Sequence, residues 1–123
     1  MIGFISGCRD GPDGAHQGHS FIIAQAKKKV DWLIVAVNDD NYIIRNKKRQ
    51  PCKNQIERAK KVLTLGADES IIFSEDGPLR LILKYRPNFI FVGNDYAIDK
   101  VVGYKECQEW GGKIKIIKRI PNI

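Results

Sequence analysis

The sequence predicts an open α/β fold, a parallel sheet of five strands with helices on both faces. Three observations carry that expectation. Short apolar runs alternate with segments of helical periodicity five times along the chain, as in layered β-α units joined by right-handed crossovers. The run Trp32–Val37 is apolar throughout and rich in β-branched residues, as expected for a central parallel strand. Glycine or proline stands at the ends of several periodic segments, where caps and turns need them.

Each element follows in turn. Ile2–Ser6 is short, apolar and followed by a glycine-dense stretch, which suits a buried strand. From about Gly18 to Lys29 the residues Ile22, Ile23, Ala26 and Val30 recur at helical spacing. Trp32–Val37 is the second strand, and Asn38 to Lys53 reads as a loop of about 15 residues, longer than the usual connection. Ile56, Ala59, Val62 and Leu63 give the next helix, stopped by Gly66 in a C-cap role. Ser70–Phe73 is a strand, and Pro78 sits at a first helical position ahead of Leu79, Ile82 and Leu83. Asn88–Val92 is the fourth strand, closed by Gly93. A shorter helix from about Val101 to Trp110 ends at Gly111-Gly112, before the last strand, Ile114–Ile117. No internal repeat or low-complexity linker interrupts the series, so residues 1–123 read as one domain.

Composition narrows the partners. With 43% hydrophobic residues and no apolar run of about 18 or more, the sequence predicts a core without a transmembrane helix. The opening residues carry no basic stretch ahead of their apolar run, so a cytoplasmic protein without a membrane partner is expected. Cys8, Cys52 and Cys107 form no C-x-x-C pair and are expected as reduced thiols. A net charge of +7 favours polyanionic partners. The basic residues cluster at Lys27–Lys29, Arg45–Lys53, Lys60-Lys61 and Lys113–Arg119, the second cluster falling in the long loop and the others on solvated faces. The aromatics Trp32, Phe73, Phe89 and Phe91 fall on apolar runs expected to be buried, which argues against a nucleic-acid partner. Phosphorylated small molecules remain.

In open parallel sheets ligands bind beyond the C-terminal ends of the strands, which points to the loops after Ser6, Val37 and Val92. The first of these, Gly7 to His19, holds both histidines of the chain, His16 and His19, at H-x-G-H spacing where a helix begins. A helix N-terminus offers unpaired N–H groups and positive dipole potential. Gly14 and Gly18 let the backbone approach an anion, and two imidazoles add donors, so the loop reads as a phosphate site. It is neither a P-loop nor a dinucleotide fingerprint, since G-x-x-x-x-G-K-[ST] and G-x-G-x-x-G are both absent. No third ligand stands at a metal-binding spacing, so no protein-held metal is expected.

These motifs resemble the cytidylyltransferase-like nucleotidyltransferases, whose Rossmann-like domain carries H-x-G-H after its first strand. The resemblance covers almost the whole chain. Asp13 matches the aspartate of the family's F-D-x-x-H-x-G-H, and Arg58 an arginine on the helix after the second strand. Gly93-Asn94-Asp95-Tyr96 looks like the family's G-[GD]-D-[YW]. Val102-Gly103 and Gly111-Gly112-Lys113-Ile114 are similar to the heptose-phosphate adenylyltransferase branch, while Arg119 matches the glycerol-3-phosphate cytidylyltransferase branch.

The resemblance implies transfer of CMP or AMP from CTP or ATP to a phosphorylated sugar or polyol, with release of pyrophosphate and Mg²⁺ neutralising the triphosphate. In this reading His16, His19 and Lys47 act in catalysis. Gly7, Cys8, Asp13, Gly18, Lys48, Arg49, Arg58, Gly93, Asp95 and Arg119 bind the nucleotide, and a homodimer is expected. The sequence departs from the family in three places. Arg9-Asp10-Gly11 lengthen the first loop and Pro12 replaces a phenylalanine. Asn122 stands where the family has glycine, and the family's I-S-T-T segment would begin at Ile123, the last residue. On that ground a second reading stands beside the first, a nucleotide-binding relative impaired in turnover and acting as a regulatory or partner-completed module.

Overall fold

The apolar runs become five parallel strands, β1 (Ile2–Gly7), β2 (Trp32–Asn38), β3 (Glu69–Phe73), β4 (Phe89–Gly93) and β5 (Lys113–Ile117). Between them lie α1 (Gln17–Lys27), α2 (Asp40–Lys47), α3 (Gln55–Leu65), α4 (Leu79–Tyr85) and the short α5 (Tyr104–Cys107). This computed structural model describes residues 1–7, 17–48, 50–51, 53–74, 77–93 and 97–117.

The sheet order is β3-β2-β1-β4-β5. Period-two alternation in the strands feeds two cores, one on each face. Ile5, Leu33, Val35, Val37 and Phe91 meet Ile22, Ile23 and Ala26 of α1 and Val62 of α3. Phe4, Ile34, Ala36 and Ile90 meet Leu81 and Ile82 of α4 and Cys107 of α5. From β1 to β3 the chain moves outward one way, and from β4 to β5 it moves the other. Crossovers of one hand therefore put α1 and α3 on one face and α4 and α5 on the opposite one. The predicted α/β fold, with helices on both faces, is the observed one.

Several details differ from the expectations. The segment Asn38–Lys53 is not one loop: α2 occupies its first half, capped by Asp39, whose carboxylate accepts from the Tyr42 amide at 2.9 Å. Arg45 to Lys47 of the second basic cluster therefore lie on a helix. The helix expected over 101–110 is broken because Gly103 sits at φ +93, so α5 starts only at Tyr104 and a 3₁₀ turn follows it. A Cβ at Gly103 would stand 3.0 Å from both Ile82 and Ile90, so packing as well as backbone conformation demands glycine there. On α3 the buried face is Arg58, Ala59 and Val62, while Ile56 and Leu63 are exposed, as is Leu83 on α4. Finally, Trp32 opens β2 at the rim of the sheet and is 46% exposed, its indole N–H donating to Glu69. Phe73 and Phe91 are buried as expected, and Phe89 partly so.

Gly66 caps α3 as predicted, at φ +127, where its N–H reaches Leu63 and that of Ala67 reaches Val62. Pro78 is the N-cap of α4 rather than its first helical residue. No described helix is long and apolar enough to cross a membrane.

Candidate functional site

The strand order reverses between β1 and β4, which makes the C-terminal ends of these two strands the crevice of the sheet. The ladder there is short. β1 and β4 are register partners at Gly3–Phe89 and Phe4–Ile90. Among the described residues β1 and β2 share six such pairs, Ile2–Trp32 through Gly7–Val37. The seam between the central strands is thus closed at their N-terminal halves, and the crevice opens above it.

Around the crevice the structure gathers part of the predicted set. Gly7 ends β1, and Gly93 ends β4 and is buried. Gly18 and His19 lie in the first turn of the 11-residue α1, so the second half of the H-x-G-H motif stands where a helix presents its free N–H groups. For His19 and Lys47 it is the backbone that is placed. Cys8, Asp13, His16, Arg49, Asp95 and Arg119 lie outside the described residues, as does Cys52.

Next to this crevice, at the end of β2, stands α2. Lys47 is its last residue. Lys48 is its C-cap, exposed and in the left-handed region at φ 59 and ψ 34, unusual for a residue with a side chain. Both lysines thus come from a helix end rather than from an irregular loop.

Arg58 is neither solvent-facing nor at the open surface. It is fully buried, and its guanidinium donates to three of the described residues: Nη1 to the Asn38 carbonyl at 2.7 Å, Nη2 to Asp40 Oδ1 at 2.7 Å, and Nε to the Lys53 carbonyl at 3.0 Å. A buried charge persists only when it is paired and hydrogen-bonded in this way. Around it, the Asp39 amide donates to the Phe73 carbonyl at 3.0 Å, and the Asp40 amide to Gln55 Oε1 at 3.0 Å.

Asn38, Asp39, Asp40 and Gln55 are the residues that the sequence reading passed over. The signal was present in Asn38-Asp39-Asp40, a polar run ending an apolar strand, with a cap-forming aspartate at its centre.

Elsewhere, the Cys107 thiol is free, buried and pushed up from its ordinary pKa by desolvation, which keeps it protonated and inert. Among the described residues no three histidine, cysteine or carboxylate side chains converge as a metal cage.

Comparison with known proteins agrees with this architecture. The family model described as cytidylyltransferase-like matches residues 13–122. The chain is 39% identical over 121 residues to the bifunctional protein HldE of Paramagnetospirillum magneticum, covering 97% of this chain and 24% of that protein. It is 37% identical over 123 residues to HldE of Ectopseudomonas mendocina, covering 98% and 25%. The chain thus spans about a quarter of the length of these curated relatives.

Among solved structures, the lipopolysaccharide core biosynthesis protein of Thermoplasma volcanium superposes with a TM-score of 0.72 at 23% identity, over 98% of this chain and 96% of that one. The pantoate-beta-alanine ligase of Francisella tularensis, complexed with beta-gamma ATP and beta-alanine, superposes at 0.65 with 22% identity, over 98% and 60%. These two likenesses concern the fold. With 110 contiguous positions from Asp13 to Asn122 under its model, the chain belongs to the cytidylyltransferase-like family.

Proposed function

We propose that this domain transfers a nucleotidyl group from CTP or ATP to a phosphorylated sugar or polyol, releasing pyrophosphate. The observation that carries the reading is the position of Gly18-His19, in the first turn of a helix that rises from the crevice where the strand order reverses. The similarity to HldE proteins across 97–98% of the chain, together with Val102-Gly103 and Gly111-Gly112-Lys113-Ile114, favours a sugar phosphate as acceptor.

In this mechanism the acceptor phosphate attacks the α-phosphorus in line, and no covalent intermediate forms on the protein. The chain's work is positioning and stabilisation of developing charge. His16 and His19 donate to the triphosphate where charge builds up, assisted by the N–H groups of the first turn of α1. Lys47, Lys48 and Arg49 approach the phosphates from the end of α2. Gly7 and Gly18 let the phosphates approach the first loop, Cys8 and Asp13 contribute to the nucleotide site from that loop, Gly93 and Asp95 meet base and ribose, and Arg119 approaches from beyond β5. Mg²⁺ belongs to the proposal as a companion of the triphosphate, supplying charge neutralisation and held mainly by phosphate oxygens and water. A cytoplasmic homodimer completes the reading.

The test is pyrophosphate release by the chain with Mg²⁺, CTP or ATP, and a panel of phosphorylated sugars and polyols. Turnover with one pair establishes the reaction and names the nucleotide. Nucleotide binding with no pyrophosphate across the panel overturns the reading in favour of a binding module.

A further inference from the structure

We propose that Arg58 and Asp40 form a positioning pair that holds α2, and with it Lys47 and Lys48, at the triphosphate, Arg58 itself not touching the ligand. The inference rests on the nucleotidyl-transfer reading and goes beyond it, because it reassigns an expected ligand contact to the frame behind the site.

The geometry makes the case. Asn38 is the last residue of β2, Asp40 the first of α2, and Lys53 immediately precedes Asn54, the cap of α3. One guanidinium binds all three, so the excursion carrying the second basic cluster leaves and returns through the same side chain. Its planar fork can serve three acceptors in fixed directions, which a lysine ammonium cannot. Gln55, one turn earlier on α3, adds its bond to the Asp40 amide.

Among the described side chains of α2 Ile43 alone is fully buried. The helix has eight residues, so about 10 Å separates the clamped Asp40 from Lys47. Over that lever a tilt of about six degrees moves the lysine end by about 1 Å, and a misplacement of that size can cost about a hundredfold in rate.

The experiment measures the dissociation constant of CTP and of ATP by calorimetry, and kcat/KM by pyrophosphate release, for wild type and six variants. Arg58→Ala should weaken triphosphate binding and lower kcat/KM by about a hundredfold. Arg58→Lys should stay within about threefold of Arg58→Ala, since charge without the fork does not rebuild the clamp. Asp40→Asn, which keeps an acceptor and removes the charge, should lose about tenfold, and the Arg58→Ala/Asp40→Asn double variant should be no worse than Arg58→Ala alone.

Lys27→Met, which breaks an exposed ion pair at the opposite edge of the sheet, should lower the melting temperature and leave both readouts unchanged. If Arg58→Ala does not fold, Asp40→Asn decides on the same readouts. Recovery by Arg58→Lys to near wild type, or additive effects in the double variant, would show direct contact with the triphosphate and overturn the proposal. Unchanged binding and turnover in a folded Arg58→Ala would overturn it too. Wild type that turns over and loses activity in His19→Ala keeps the nucleotidyl-transfer reading standing in either case. A wild type that binds neither nucleotide removes both.

Discussion

The two edges of the sheet are tied by different means. At the N-terminal edge Lys27, ending α1, reaches Asp68 at 2.6 Å and the Asp31 carbonyl at 3.0 Å. Asp68 also accepts from the Leu33 amide at 2.8 Å, and Asn88 bonds both backbone groups of Ile2 at 2.8 Å. The charged side chains of this edge are wet, with Lys27 36% and Asp68 23% exposed. At the C-terminal edge the corresponding tie is a single guanidinium with no exposure at all. Water can replace a lost partner at the first edge. At the second, water reaches the 30% exposed Asp40 carboxylate but not the buried Asn38, so removing Arg58 takes from the Asn38 carbonyl a donor that solvent does not replace. The comparison teaches that the edge proposed to hold the ligand is built for geometry, and the other for closure.

The largest effect that would sharpen this contrast lies at the C-terminal edge. On the proposed mechanism His19→Ala should lower kcat by about 10²- to 10³-fold, because it removes a donor to the charge developing on the triphosphate. Near-normal turnover would break the assignment of that edge.

Between the edges, Gly103→Ala should cost about 2–4 kcal/mol in denaturant unfolding, combining a left-handed backbone penalty with overpacking against Ile82 and Ile90. Its activity per folded molecule should be retained. A loss below about 0.5 kcal/mol would show that the α4–α5 face relaxes freely.

The smallest effect belongs to the N-terminal edge. Lys27→Met should lower the melting temperature by only about 1–4 °C at neutral pH, as an exposed pair does.

The same pair fixes a pH signature. The hydrogen bond from Lys27 holds the Asp68 carboxyl below its ordinary value of 3.8. A carboxylate depressed in the folded state stabilises above its unfolded pKa and loses that contribution as pH falls through the folded value. The melting-temperature gap between wild type and Lys27→Met should therefore be full above about pH 5 and close as acid protonates Asp68. A gap that persists unchanged to pH 2 would mean that Lys27 acts through packing of its stem.

Much of this was legible in the residues. Continuous apolar runs and helical spacing are local, so the strands emerged close to their observed limits and Gly66 announced its cap. The element that escaped, α2, escaped for a physical reason: Asp40–Lys47 buries one apolar side chain fully among those described, too few for a hydrophobic stripe. The helix over 101–110 was overdrawn because periodicity does not register that Gly103 is held left-handed by Ile82 and Ile90. On α3 the spacing of Ile56, Ala59, Val62 and Leu63 set the right element with its stripe misplaced. The stripe turns to bury Arg58, and only the acceptors around it explain why a charged residue displaces two aliphatic ones.

The sequence by itself therefore determined the α/β class and the limits of most elements, since each rests on residues within a turn or a pleat of one another. The tertiary structure alone decided the strand order, which reverses between β1 and β4, and the burial of Arg58. Its partners lie 18 and 20 residues away, at Asp40 and Asn38, and no local pattern marks a charge for burial until the fold brings its acceptors to it.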